Sequence, residues 1–331
     1  MHRTYEHSLT SEEKNVESPN TTWFDNQQLR ASVDMRTLIA EVRDALVGLH
    51  KGDFEIPLRL APGDGRFLVM PVRHIGSETL AVKSLSANFT GRRPALSGTL
   101  TWEEWHTERH VGVDAAEATA MRTGAISGVA TDLLAFPGAR NLTVIGAGGQ
   151  APDQIRAVLA VRDITSVTVT SLKRDSALAC IYRVEKEFHG VRFTATTDPR
   201  DAVAEADIIC CATPSTAPLF SLDDLKPGSH VNLIGSYRPE MREMSGDDVA
   251  QASLFVDDIQ AVTTEAGEVI EALESGVLDR CELRTLGSAL TEGNVAHEPE
   301  QVSIFKSVGV AVQDWALMRT LVDTMDTGAR N

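Results

Sequence analysis

The sequence is poor in cysteine, in positive charge and in long apolar runs. Its four cysteines, Cys180, Cys210, Cys211 and Cys281, show no metal-ligand spacing. Cys210 and Cys211 lie together in "ADIICCAT", where alternate strand side chains point to opposite faces, so both read as packing residues. Unpaired thiols suit a reducing compartment, and a cytoplasmic location is expected. No apolar run approaches the roughly 18–20 residues needed to span a bilayer. The start, "MHRTYEHSLTSEEKNVESPNTT", lacks the apolar core of a secretory signal, and residues 1–21 are expected to form a mobile tail. Basic residues number 31 against 47 acidic ones, a formal net charge of -16. That balance argues against nucleic acid or an anionic membrane as partner. His106, His110 and His297 have no ligand spacing, and no metal is expected. Trp102 and Trp105, beside charges in "WEEWHTERH", read as a partly exposed surface segment.

At 331 residues, 42% of them hydrophobic, the chain can build two domains with a sizeable core. Leu38, Ile39, Val42, Leu46 and Leu49 recur at helical spacing within a helical stretch expected from Thr22 to about Leu49. Short strands broken by Gly and Pro follow, and a long helical stretch returns around "VDAAEATAMRTGAISGVATDLLA". After "FPGAR" the texture changes to alternating apolar strands and short helices: "NLTVIG", "TSVTVTS", "VRFTAT", "DIICCAT", "PGSHVNLIG" and "ASLFVDD" are the strands. Such alternation implies βαβ units and a doubly wound parallel sheet over residues 125–290. The last segment, "QVSIFKSVGVAVQDWALMRTLVDTM", reads as an amphipathic helix behind a Gly-containing turn. It is expected to lie outside the nucleotide domain and to pack back on residues 22–124, so that 291–331 completes a second, α+β domain. No internal repeat or low-complexity tract is present.

"NLTVIGAGGQAPDQI" sets Gly146, Gly148 and Ala151 in a G-x-G-x-x-A pattern after a strand and before a helix. The glycines permit a tight turn and close approach to a pyrophosphate, and the helix N-terminus offers free amides. Gly149 and Gln150 belong to the same loop. An acidic residue near the end of the second strand would hydrogen-bond a ribose 2′-hydroxyl. Here the strand ends in Ser171, Lys173 and Arg174, which suits a 2′-phosphate, and Asp175 reads as the next helix's first turn. NADPH is the expected cofactor, with NADH possible.

Several motifs stand in one order: "IPLR" (56–59), "VK" (82–83), "ATAMRTGA" (118–125), "VIGAGGQA" (144–151), "CATPSTAP" (211–218), "LIGSYRPEMRE" (233–243), "FVDD" (255–258) and "IFKSVGVAVQD" (304–314). Together they resemble the ornithine cyclodeaminase/mu-crystallin family over about residues 22–328. The resemblance implies a Rossmann domain inserted into a substrate-binding and dimerisation domain made from both chain ends, and hence a homodimer. It implies that Arg59, Lys83 and Arg122 hold a substrate α-carboxylate, with Thr123 and Asn88 beside them. It also adds Thr213, Pro214, Gly235 and Lys306 to the cofactor-binding positions. Elementary chemistry agrees on the clamp: an anionic substrate on so acidic a protein needs local cations, and Arg pairs with carboxylates in bidentate fashion. Arg122 interrupts an otherwise small, apolar helical run, where a charge is costly unless paired.

A second absence separates activities. The resemblance implies that a cyclodeaminase carries an Asp just past the glycine of the 233–243 loop, to bind a distal amine. The matching position is Tyr237, and no carboxylate lies between Gly235 and Pro239. A phenol, uncharged at neutral pH, gives an ammonium no ion-pair partner. Glu240 and Glu243 are expected on the outer part of the loop or on the next helix. Arg238 is expected to contact cofactor phosphate or Glu243, and Asp257 and Asp258 to be structural caps. The loop is similar to that of the family's ketimine-reductase branch. It implies reduction of Δ1-pyrroline-2-carboxylate to L-proline, or of the six-membered analogue to L-pipecolate. The proton would come from Lys83, a water, or the Ser236 and Tyr237 hydroxyls, in that order. The alternatives are cyclodeamination of ornithine, an amino-acid dehydrogenase or siderophore-type synthase, and a non-catalytic binding protein.

Overall fold

The computed structural model describes residues 21–63, 66–88, 95–293, 295 and 300–328. Apart from Thr21, the expected tail lies outside the described residues, as does His297. The first elements are β1 (Thr21–Phe24), α1 (Asn26–Ser32), α2 (Met35–Lys51), β2 (Phe54–Glu55) and β3 (Phe67–His74). β4 (Thr79–Ala87), β5 (Leu96–Glu104), β6 (His110–Asp114) and α3 (Ala115–Leu134) follow. Then come β7 (Asn141–Ile145), α4 (Ala151–Val161), β8 (Ser166–Thr170), α5 (Arg174–Tyr182), β9 (Arg192–Thr196) and α6 (Pro199–Val203). The series continues with β10 (Ile208–Cys211), β11 (His230–Leu233), α7 (Gly246–Gln251), β12 (Ser253–Val256), α8 (Ile259–Glu265) and α9 (Gly267–Ser275). It closes with β13 (Arg284–Thr285), α10 (Leu286–Glu292), β14 (Ser303–Lys306) and α11 (Ala311–Gly328).

Two sheets organise these elements. The first has the order β1-β6-β5-β4-β3-β2, antiparallel except where β1 runs parallel to β6. The second has the order β13-β12-β14-β11-β10-β7-β8-β9 and is parallel throughout. β10 and β11 are buried along their whole length, as strands covered by helices on both faces must be. The fold is α/β, with a Rossmann-type doubly wound sheet beside a smaller mixed sheet. Cys210 and Cys211 are buried in β10, as expected of packing residues.

Three sequence expectations change. Residues 303–306, read as part of the terminal helix, form β14 in the middle of the second sheet, between β11 and β12. A short apolar run is strand or helix by periodicity alone, and pairing with both neighbours decides it. Thr21–Phe24 is a strand and not a helix start; Asp25 then caps α1 through a capping box with Gln28. Trp102 is fully buried, because the alternation of β5 turns it inward with Leu100, while Trp105 is exposed.

α11 does pack back on the first unit. Trp315, Leu317, Met318 and Leu321 share one apolar core with Leu38, Val42 and Leu46 of α2 and with Trp102. Trp315 anchors the register: its Nε1 donates to Thr79 Oγ1 at 2.9 Å, and its ring meets Trp102 at 5.6 Å between centroids. α3 runs between the two sheets and is buried along nearly all of its length. Asp114 caps its start by accepting from the amides of Ala116 and Glu117. On α3, Gly124 lies against α4, where an added Cβ would stand 2.5 Å from the Asp153 carbonyl oxygen. Gly124→Ala must force the two helices apart, at a cost of about 1–3 kcal/mol. A lower midpoint in scanning calorimetry is expected; an unchanged midpoint would contradict this close approach.

Candidate active site

The carboxyl ends of β7, β8, β10, β11 and β14 face one crevice, where an open α/β sheet binds its ligands. Past β7 the chain turns at Gly146, whose φ of 102° is reserved in practice for glycine. Gly148 and Gly149 have nothing within 4 Å of an added Cβ, which leaves room for a pyrophosphate to approach the backbone. Gln150 precedes α4 and makes no side-chain cap; its buried Oε1 has no hydrogen-bond partner among the described residues. Ala151 is fully buried where α4 meets the sheet. An open glycine turn, uncapped helix amides and a buried polar atom without a partner are what a bound dinucleotide would complete. Beyond β8, Ser171 is half-buried and Lys173 and Arg174 are exposed, with Asp175 in the first turn of α5 as expected.

The three clamp cations come together. Lys83 lies mid-way along β4, on the inward face of its alternation, and is almost fully buried. Arg122 projects from α3 and is likewise buried. Between them stands a residue not singled out from the sequence, Asp314 in the first turn of α11. Its Oδ1 and Oδ2 lie 3.0 and 2.8 Å from Lys83 Nζ, and its Oδ1 lies 3.2 Å from Arg122 Nε. The neighbouring Gln313 accepts from Arg122 Nη1 at 2.5 Å, and its own buried Nε2 has no acceptor among the described residues. Arg59 donates to the Val308 carbonyl at 3.4 Å and forms an ion pair with Glu265 at the end of α8.

The electrostatics are those of one cluster. Burial pushes the Lys83 ammonium down to about 7; Arg122 and Arg59 add to the shift, and Asp314 opposes it. Burial also pulls the Arg59 guanidinium down to about 10, with Asp257 opposing and Arg122 reinforcing. With Lys83 protonated, Lys83 and Arg122 outnumber the Asp314 carboxylate by one charge. A single ligand carboxylate would balance it. The floor of the cluster is the turn after β14. Asp257 accepts there from Ser307 Oγ at 2.7 Å, Val308 N at 3.0 Å and Gly309 N at 2.8 Å. Asp257 is therefore a loop anchor and not a helix cap, whereas Asp258 does cap α8.

Other expected site residues take different places. Thr123 is buried, and its carbonyl accepts from Gln154 of α4 at 3.1 Å. Asn88 is exposed at the end of β4, its amide donating to the Ala95 carbonyl. Tyr237 is half-buried, with the Arg238 guanidinium carbon 5.5 Å from its ring centre. Burial raises its phenol, against Arg238 and Arg59. Arg238 pairs with Glu240 at 3.9 Å. Ser236 is fully buried: its hydroxyl donates to Glu268 at 2.7 Å and accepts from Lys306, so its proton is already committed. Lys306 is buried too, bonded to Ser236 and paired with Glu268. Glu243 turns inward, contrary to its expected outer position, and accepts from the Thr213 amide and hydroxyl and from the Gly235 amide. Pro214, next to Thr213, is exposed past the β10 end. No group of acids, histidines and cysteines able to hold a metal exists among the described residues.

Known proteins repeat this plan. Residues 24–329 match the Ornithine cyclodeaminase/mu-crystallin family. A Δ1-pyrroline-2-carboxylate reductase of Bacillus cereus is 32% identical over 272 residues, which is 80% of this chain and 83% of that one. The ketimine reductase mu-crystallin of Mus musculus is 32% identical over 216 residues, 65% of each chain. The Thermococcus litoralis Δ1-pyrroline-2-carboxylate reductase, solved with NADH and L-proline, superimposes with a TM-score of 0.86 at 27% identity, covering 93% of this chain and 98% of that one. With its glycine turn after β7 and buried cations of the N-terminal part joined by Asp314 of α11, the chain belongs to the ornithine cyclodeaminase/mu-crystallin family.

Proposed function

We propose that this protein reduces cyclic α-imino acids with a nicotinamide cofactor, converting Δ1-pyrroline-2-carboxylate to L-proline. The observation that carries the proposal is the Lys83–Asp314–Arg122 cluster, which holds one positive charge in excess, beside a loop whose Tyr237 replaces an acid. The names of the Bacillus and Thermococcus relatives support the same substrate. A cyclodeaminase would need a carboxylate on the loop for a distal ammonium. Glu240 is exposed and Glu243 is turned into the core, so neither serves. The amino-acid dehydrogenase or synthase and the non-catalytic alternatives have no comparable support in the site's geometry.

In this mechanism Arg122 and Arg59 hold the substrate carboxylate, and Gln313 Nε2 offers it a further donor. Gly146, Gly148, Gly149, Gln150 and Ala151 would hold the dinucleotide. When bound, the reduced nicotinamide supplies a hydride for C2 of the imine. Lys83 supplies the proton for the ring nitrogen. An ammonium near 7 is poised for that transfer at neutral pH. A substrate carboxylate in the clamp adds an anion beside Lys83, which favours its protonated form before turnover. Tyr237 closes the site beside Arg59.

We further propose that NADPH is preferred, since Lys173 and Arg174 stand exposed where an acid would select NADH. Exposed Trp23 on β1, Phe67 on β3 and Trp105 just past β5 support a homodimer. Four free cysteines, together with the absence of any membrane-crossing helix among the described residues, support a cytoplasmic location.

Purified protein mixed with NADPH and Δ1-pyrroline-2-carboxylate should consume reduced-nicotinamide absorbance and yield L-proline. Ammonia and proline from L-ornithine, with an inert imine, would refute the proposal. Lys173→Ala with Arg174→Ala should raise KM for NADPH about ten- to hundredfold, as expected for lost charge-assisted bonds, and leave NADH nearly unchanged. Equal effects on both cofactors would remove the case for NADPH. A third outcome concerns acidity. The protonated form of Lys83 is the active one, so kcat/KM should fall as pH rises through about 7. Asp314→Asn removes the group that raises the Lys83 pKa, so this limb should move to lower pH and kcat/KM should drop about hundredfold. A limb that stays put would exclude Lys83 as the donor.

A further inference from the structure

Glu243 closes the loop of residues 235–243 on itself. Its Oε2 accepts from the Gly235 amide at 2.8 Å, while its Oε1 accepts from the Thr213 amide at 2.7 Å and the Thr213 hydroxyl at 2.9 Å. One fully buried carboxylate thus bridges the two loops that leave adjacent strands, β10 and β11. A second buried group holds the next residue. Lys306, at the end of β14 beside β11, donates to the Ser236 carbonyl and hydroxyl and lies 3.0 Å from Glu268 in the first turn of α9. Ser236 donates to the same Glu268.

Residues 235 and 236 are therefore fixed from both sides, and the chain emerges at Tyr237. The tyrosine packs against the core that includes Val308, whose carbonyl accepts from Arg59, and each of the two side chains shifts the other's proton affinity. Two carboxylates and one ammonium in the interior are an expensive way to close a loop, since apolar contacts would do so without desolvation. What the charged arrangement adds is direction: each hydrogen bond fixes one backbone group in one place. The cluster is separate from the Lys83–Asp314–Arg122 clamp and shares no residue with it.

On the footing of the imine-reductase function above, we propose that Glu243 is a positioning residue for that reaction. With the Lys306–Glu268 pair behind it, Glu243 sets the Gly235–Tyr237 turn so that Tyr237 closes over substrate held at Arg59. Glu243 touches no substrate; it acts through Tyr237. Glu243→Gln keeps the size but turns an NH2 donor toward backbone N–H donors, so at least one of the three bonds is lost and the turn is released.

The test is a double-mutant cycle in the imine-reduction assay with wild type, Tyr237→Ala, Glu243→Gln and the double variant. NADPH binding by fluorescence and thermal midpoints are measured on each. Glu243→Gln should bind NADPH within about threefold of wild type and lower kcat by up to about tenfold, no more than Tyr237→Ala itself. Tyr237→Ala should cost about tenfold in the wild-type background and under about twofold in Glu243→Gln, because the released turn has already lost the tyrosine's placement. Additive losses would overturn the proposal, as would a fall in NADPH affinity equal to the fall in kcat. If Glu243→Gln does not fold, Ser236→Ala, which removes only the hydroxyl shared by Lys306 and Glu268, takes its place with the same two criteria. A wild-type protein inert toward every imine defeats the parent function and this proposal together; wild-type turnover with additive losses defeats the proposal alone.

Discussion

Asp314 is the contact on which the site depends. Two cations, one from a strand of the first sheet and one from the long connecting helix, are buried within reach of each other and would repel without it. Its carboxylate makes their burial tolerable and leaves one charge for a ligand to neutralise. The packing of α11 follows from the same need. Trp315, Leu317, Met318 and Leu321 come immediately after Asp314, and their burial in the first unit's core fixes the rotation that brings the carboxylate between Lys83 and Arg122. Here an apolar stripe sets a polar geometry.

The nucleotide half obeys a different constraint. Its parallel strands all deliver their loops to one edge, and those loops have few neighbours able to hold them. Buried acids take that role: Asp257 for the turn after β14, and Glu243 for the ends of β10 and β11. Asp153, one turn into the dinucleotide helix, is fully buried and paired with Arg30 of α1 at 2.9 Å, which ties that helix to the first unit. A chain so acidic overall thus uses several of its carboxylates as internal braces.

The sequence made some of this legible and hid the rest for identifiable reasons. The glycine turn at 146–151 and the βα alternation are local patterns, and local patterns survive reading in one dimension; Arg59, Lys83 and Arg122 are reached only through the family resemblance. Asp314 was visible as a polar residue in the apolar run "VGVAVQDWALM", yet its partner Lys83 lies 231 positions away. No spacing announces the pairing of Lys306 with Ser236, which spans 70 positions. Glu243 looked like a loop surface acid until the chain folded back on Gly235. Trp102 misled through its neighbours: the charges at 103 and 104 suggest surface, while the period of the strand sends the indole inward. Lines of inference that hold over one turn or one strand fail where two distant segments meet.

The chain passes from β14 through the Asp257-held turn directly into α11, so residues 306–314 carry Lys306, the floor beneath Arg59 and then Gln313 and Asp314. One short stretch of chain thus carries both the ammonium that braces the turn at Ser236 and the carboxylate that joins Lys83 to Arg122, so any shift of β14 within its sheet reaches both clusters at once.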